Sequence, residues 1–260
     1  MTYYFLSGLP RTGATLLSSI LNQNPDIHSG PESPICGLLD NTFRFLANNE
    51  QLVLYPKHTF ESKLAVSVAD SYYFDTDAKH IIDKCRVWSH KDNRILAKSL
   101  NSNPKIICPV RGMLEILTSW ITLLESSDKL NFVDRGLQFM GKEINNDNRC
   151  DWLMKDDGLI KLSYESLKTS YKDPEVMLIE YDDLIDKPVN TMYNVYEFLD
   201  IPLHKHDLNN IVNDYLPHDG MLGLENLHVV KKELSKTSKD PKDVLSDYVI
   251  EKYSNMEFWR

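Results

Sequence analysis

Residues 3–21 constrain this chain more than any other stretch. Tyr3-Tyr4-Phe5-Leu6 is a short apolar and aromatic run, Ser7 to Gly13 is a turn rich in glycine and proline, and Leu16, Leu17, Ile20 and Leu21 recur at helical spacing. The order predicted is strand, loop, helix. A glycine-bounded loop that empties into a helix N-terminus aims successive backbone N–H groups, and the positive end of the helix dipole, at one spot. Such a spot binds an anion.

Gly8 and Gly13 reproduce the G-x-x-x-x-G part of a nucleoside-triphosphate loop, but Ala14 stands where that motif carries Lys. The Lys serves the β- and γ-phosphates and the following Ser/Thr holds magnesium, so the departure argues against ordinary ATP or GTP hydrolysis. Arg11, inside the loop, is the cation on offer. A plain strand-to-helix turn with an exposed Arg is the competing reading.

The 260 residues, 42% of them hydrophobic, suffice for one sizeable α/β domain with added helices. A formal charge of −9 makes a broad basic face for nucleic acid an unsuitable reading, so a polyanionic ligand must be caught by local cations. No apolar run reaches membrane-spanning length, and the apolar N-terminal run has no basic residue before Arg11, so neither a membrane segment nor a secretory signal is expected. Cys36, Cys85, Cys108 and Cys150 are scattered without metal-ligand or paired spacing, which reads as reduced thiols of a cytoplasmic protein.

Further along, Ile35 to Leu46 and His58 to Tyr73 read as helices. Lys79 to Lys84 is a candidate second core strand ending in a polar and basic cluster that runs through Arg86, Trp88, His90 and Lys91; open α/β sheets bind ligands at such carboxyl ends. Lys105 to Val110 is a clearer strand, followed by Arg111-Gly112 and an amphipathic Met113 to Leu124. Ser119 lies two helical turns beyond Arg111, so both can face one crevice. Residues 131–170 read as helices packed outside the sheet, with a turn at Asn145 to Asn148 and a share in shaping an acceptor pocket. Val176 to Tyr181 reads as another buried strand, and Pro188 opens a helix with Met192, Val195, Tyr196 and Leu199 on one face. Beyond His218 the chain is loop-like and unusually basic, with His228, Lys231, Lys232, Lys236 and Lys239, before a last helical stretch.

The run Gly8-Leu9-Pro10-Arg11-Thr12-Gly13-Ala14-Thr15-Leu16-Leu17 resembles the 5′-phosphosulfate loop of sulfotransferases, in the form found in tyrosylprotein sulfotransferases and their bacterial relatives. Asn24 to Ser33 is similar to that group's second segment, where an acid after a Gly is the proposed catalytic base; by position this is Glu32, while Pro31 stands where the group often has a second acid. The likeness implies that Pro10, Arg11, Thr12, Gly13, Ala14 and Thr15 bind the 5′-phosphosulfate of 3′-phosphoadenosine 5′-phosphosulfate (PAPS), with the bisphosphate PAP as product. It further implies that Arg111 and Ser119 grip the 3′-phosphate, a task that suits a forked guanidinium. A Lys at a strand end assists transfer in the group; Lys84 matches it best by position, with Lys91 the competitor. Tyr181 matches a Tyr that lies near the nucleotide, or else packs the sheet edge with its hydroxyl in water. Lys236 to Ser238 matches a basic segment, somewhere in 218–245, that closes over the 3′-phosphate, or else is a solvated Lys face.

The fold expected is a single three-layer α/β domain over 1–260, with a mainly parallel central sheet and helices on both faces, related to the nucleotide-kinase type of phosphate-loop fold. The reaction implied is sulfuryl transfer to an acceptor hydroxyl, with Glu32 as general base, Arg11 and Lys84 at the transferred group, and no metal. Peptide tyrosine, glycan, lipid and small molecule all stay open as acceptors, since the tyrosylprotein enzymes are membrane-anchored and this sequence shows no anchor; a homodimer also stays open. A kinase with a degenerate loop and a non-catalytic nucleotide-binding protein are the alternatives. The eight His residues form no metal pattern, and His204 and His206 read as surface. There is no G-x-S-x-G elbow and no Cys-His signature.

Overall fold

Alternation along the first strand, β1 (Thr2–Leu6), sets the layers: Tyr3 and Phe5 enter one apolar cluster, Tyr4 and Leu6 the other. Neighbouring side chains of a strand point to opposite faces, so a run that is apolar on both must be covered on both. In the computed structural model, which describes residues 1–215, 218–236 and 239–260, this strand lies in the middle of a five-stranded sheet. The order is β2 (Ile27–His28), β3 (His80–Lys84), β1, β4 (Ile106–Val110) and β5 (Val176–Glu180), and the described pairings are parallel.

One face is covered by α2 (Ile35–Ala47), α4 (Phe60–Tyr72), α5 (Arg94–Leu100), α6 (Met113–Glu125), α7 (Phe132–Phe139), α8 (Asn146–Leu153), α9 (Leu159–Lys168) and α12 (Asp247–Tyr253), which contribute buried residues to the cluster of Phe5. The other carries α1 (Ala14–Leu21), α10 (Tyr181–Asp186) and α11 (Pro188–Leu199), whose Met192, Val195, Tyr196 and Leu199 pack with Leu6. The short α3 (Glu50–Leu54) buries nothing. The chain runs from β1 to β2 and β3 on one side and then crosses to β4 on the other. Strand order therefore reverses at β1, and a crevice opens outside the carboxyl ends of the strands there.

Two local readings change, and one short strand is added. Asn145 to Asn148 is not a free turn: the Asn145 side chain accepts from the Asn148 N–H at 2.9 Å and caps α8. The two-residue β2 shows no period of its own and exists through pairing, Ile27 opposite His80. His204 and His206 are half-buried rather than surface residues; the His206 ring lies 5.6 Å from that of Tyr196, and burial first, then His204, push its pKa down to about 4. All four cysteines are free, and Cys36, Cys108 and Cys150 are buried. No described helix is long and apolar enough to cross a membrane.

Candidate active site

The carboxyl ends of the strands surround a cavity of about 730 Å³, within the size range of small-molecule sites. Its walls are the loop after β1, Lys84 and Arg86 at the end of β3, Arg111 after β4 and Tyr181 after β5.

Three left-handed residues shape the loop: Gly8 at φ 110°, Arg11 at φ 64° and Gly13 at φ 85°. A Cβ on Gly13 would sit 2.9 Å from the Tyr181 ring, so only glycine lets the loop lie against that tyrosine. Arg11 has no such licence, and its backbone costs about 1–2 kcal/mol relative to the ordinary helical region. It is held in place by its own contacts: its carbonyl accepts from Arg111 Nη1 at 3.2 Å, its Nε donates to Ser119 Oγ at 3.0 Å and its Nη1 to the Leu227 carbonyl at 2.6 Å. Burial, then the nearby Arg111, lower the Arg11 pKa. Gly13 precedes α1 without a side-chain cap, and no acid sits in the first turn. The first N–H groups of α1 have no partner within the helix, and they face a cavity lined by Ala14 and Thr15.

The mid-chain residues meet the loop in this same cavity. Arg111 is 5% exposed, its guanidinium carbon 4.3 Å from the Tyr181 ring centre. Tyr181 thus stands between Arg111 and Gly13, its ring largely buried, and lines the cavity. Arg11 bridges the amino-terminal loop to Ser119, so two cradles about a hundred residues apart in sequence are in direct contact.

On the other wall, Lys84 Nζ donates to Thr15 Oγ1 at 3.2 Å, and its pKa is pushed down to about 8 by burial and by Arg86, with Glu32 pulling the other way. Glu32 pairs across a short parallel bridge with Lys84, and the Ser33 N–H donates to the Lys84 carbonyl at 2.8 Å. The anchor for this segment is the fully buried Asp83, whose carboxylate accepts from Ser33 Oγ at 2.5 Å, Tyr73 OH at 2.6 Å and Trp88 Nε1 at 2.6 Å. Burial raises the Asp83 pKa, and the three donors oppose it.

Three expected residues lie elsewhere. Thr12 is buried and turns its hydroxyl back to the Leu9 carbonyl at 2.8 Å, bracing the loop without lining the cavity. Lys91 is exposed, its N–H bonded to Thr169 Oγ1 at 2.9 Å, outside the cavity that Lys84 lines. Lys236 pairs with Asp182 at 2.8 Å and does not line the cavity either; Thr237 and Ser238 lie outside the described residues. The residues that do cover the loop come earlier, around Leu227 and His228. The His228 Nδ1 is 2.6 Å from Asp219 Oδ1, which ties this segment to the 3₁₀ turn Asp219–Leu222. Arg86 had only its place in a basic cluster to mark it, yet its Nη2 lies 2.9 Å from Glu32 Oε2.

Residues 2–219 match the family model described as the sulfotransferase domain. A protein-tyrosine sulfotransferase of Drosophila melanogaster is 22% identical over 208 residues, which is 78% of this chain but only 38% of that relative. Among solved structures, the sulfotransferase domain of the curacin biosynthetic pathway has a TM-score of 0.51 at 16% identity, covering 98% of this chain and 90% of its own. Mouse sulfotransferase SULT7A1, solved in complex with PAP, has a TM-score of 0.52 at 14% identity, covering 97% and 81%. At such identities the likeness is one of fold. The family match, by contrast, runs from the first strand to the turn at Asp219 and takes in both cradles, Lys84 and Glu32: the chain belongs to the sulfotransferase family.

Proposed function

We propose that this protein transfers a sulfuryl group from PAPS to an acceptor hydroxyl. The observation that carries the reading is the convergence of Arg11, Arg111 and Ser119 with the open N-terminus of α1 in one cavity, which offers separate grips for the two phosphorylated ends of one nucleotide. PAPS supplies a sulfuryl group whose bond to the 5′-phosphate breaks as the acceptor oxygen bonds sulfur, the electron pair leaving on PAP. The α1 N–H groups and Thr15 hold the 5′ end, while Arg111 and Ser119 hold the 3′-phosphate and Tyr181 supports Arg111 from behind. Lys84, already bonded to Thr15, meets charge growing on the leaving oxygen. Glu32 takes the acceptor's proton. The acceptor class stays as open as it is in the sequence: the relative named for protein tyrosine covers too little of its own length here to fix it.

Thermal melting separates this reading from a degenerate kinase. PAP at about a hundred times its dissociation constant adds about 2.7 kcal/mol, a rise of roughly 5 °C or more for a chain of this size, and Mg-ATP adds far less. A larger, magnesium-dependent rise with ATP would favour the kinase instead. PAP binding without transfer to any of the four acceptor classes from labelled donor would favour the non-catalytic alternative.

Lys84 gives the binding a pH dependence. In the free protein its ammonium is charged below about 8 and neutral above. Above about pH 7, where the phosphates of PAP are fully ionised, affinity for PAP is therefore steady up to about pH 8 and falls by up to about tenfold per unit beyond it, whereas an ordinary Lys would hold its charge to about 10.4. Lys84→Gln should bind more weakly at pH 7 and lose the decline between pH 8 and 9.5; a decline unchanged in that variant would remove Lys84 from the phosphate.

A further inference from the structure

The polar cluster after β3 contributes to the cavity one cation with no part in the scheme above, Arg86, and its anchoring is unusual. The Arg86 carbonyl accepts from Ser7 Oγ at 2.9 Å and from the Gly8 N–H at 3.5 Å, which ties its main chain to the first residues of the phosphate loop. Its side chain reaches the other way and pairs with Glu32 at 2.9 Å. Arg86 thus joins the loop proposed to hold the donor, through its main chain, to the carboxylate proposed as the base, through its side chain.

We infer that Arg86 is a second, unassigned anion-binding residue of the site, whose guanidinium holds the oxygens of the sulfuryl group as it passes from donor to acceptor. The inference rests on the PAPS reading. Arg86 and Glu32 both line the cavity, with side chains 27% and 41% exposed, so the pair is reachable by a ligand and is not a sealed structural bridge. Only Nη2 is engaged with Glu32; Nη1 is buried without a hydrogen-bond partner among the described residues. Nη1 is closed off from the cavity, so the guanidinium meets an oxyanion through Nη2, the amino group it shares with Glu32, in a charge-assisted hydrogen bond. Its charge is also felt next door, where it helps lower the Lys84 pKa. Arg86 and Lys84 then approach the sulfuryl group from one strand end, two residues apart, with the Lys bonded to the α1 side and the Arg bonded to the base.

The test needs no acceptor. PAPS and PAP share both phosphorylated positions and differ by the sulfuryl group, so long-range loss of a positive charge weakens both alike and a direct contact weakens only PAPS. Dissociation constants for each are measured by calorimetry, without acceptor, for the wild type, Arg86→Gln and Arg86→Lys. Arg86→Gln is expected to lose about tenfold or more in PAPS affinity with PAP within about twofold, and Arg86→Lys to lose less, since it keeps the charge. Equal losses for both nucleotides, or none, would make Arg86 an anchor for Glu32 alone and overturn the inference. Should Arg86→Gln fail to fold, the PAPS-to-PAP ratio of Arg86→Lys decides in the same way. A wild type that binds neither nucleotide would remove the donor reading and this inference together, whereas tight binding with an unchanged ratio removes only the latter.

Discussion

Glu32→Gln is expected to lower turnover by about 10²- to 10⁴-fold while leaving the dissociation constant for PAP within about twofold. The amide keeps the size of the carboxylate and can still accept a hydrogen bond from Arg86, so the segment should stay where Asp83 and Ser33 hold it. What it loses is the capacity to take a proton. Glu32 lies across the cavity from the Arg111 and Ser119 cradle, bridged to Lys84, which is why nucleotide affinity should be spared. Single-turnover rates with labelled PAPS, paired with PAP titrations, check this. A large loss of affinity with turnover retained would strip Glu32 of the role, and the melting temperature shows whether the variant is intact.

Arg111→Ala is expected to weaken PAP by roughly 10- to 150-fold, the worth of about 1.5–3 kcal/mol for a hydrogen bond to a charged group, and to weaken adenosine 5′-phosphate much less. Part of the loss should be common to both nucleotides. Arg111 Nη1 also holds the Arg11 carbonyl at the loop's left-handed turn, so its removal loosens the 5′ site as well. The ratio of the two losses, not either alone, therefore reports the 3′-phosphate contact. Equal losses would make Arg111 a brace for the loop and nothing more.

Much of this protein can be read from local pattern. The runs at Tyr3 to Leu6, Lys105 to Val110 and Val176 to Glu180 form core strands because each is apolar on both faces and bounded by turn residues. Met192, Val195, Tyr196 and Leu199 show the period of a helix buried on one side, and all four are buried. Gly8 and Gly13 are legible because few residues other than glycine sit easily at such backbone angles. Arg111 and Ser119 are legible because a strand end and a position two turns further along the chain, in the helix that follows, keep a fixed offset.

Less local features escape this kind of reading. Thr12 sits in the middle of the loop motif, yet its hydroxyl finds a nearer acceptor in the Leu9 carbonyl and never reaches the cavity. Lys236 stands out as basic in an acidic chain, but a surface Lys takes the nearest carboxylate, here Asp182. Asn145 carries the composition of a turn because caps and turns use the same side-chain acceptor. Arg86 is one Arg among several, and its meaning comes from Glu32, 54 residues earlier.

By itself the sequence determined the strand, loop and helix of the amino terminus, the alternation that calls for helices on both faces, and the types of side chain at the strand ends. Spacing of two and of 3.6 residues, together with the backbone freedom of glycine, is written within a few neighbouring positions. Tertiary structure alone decided which of the scattered cations share a cavity. It set Arg11 on Ser119, Tyr181 between Gly13 and Arg111, and Arg86 on Glu32, because such contacts follow from the order of parallel strands in the sheet, and that order brings together residues with no local relation.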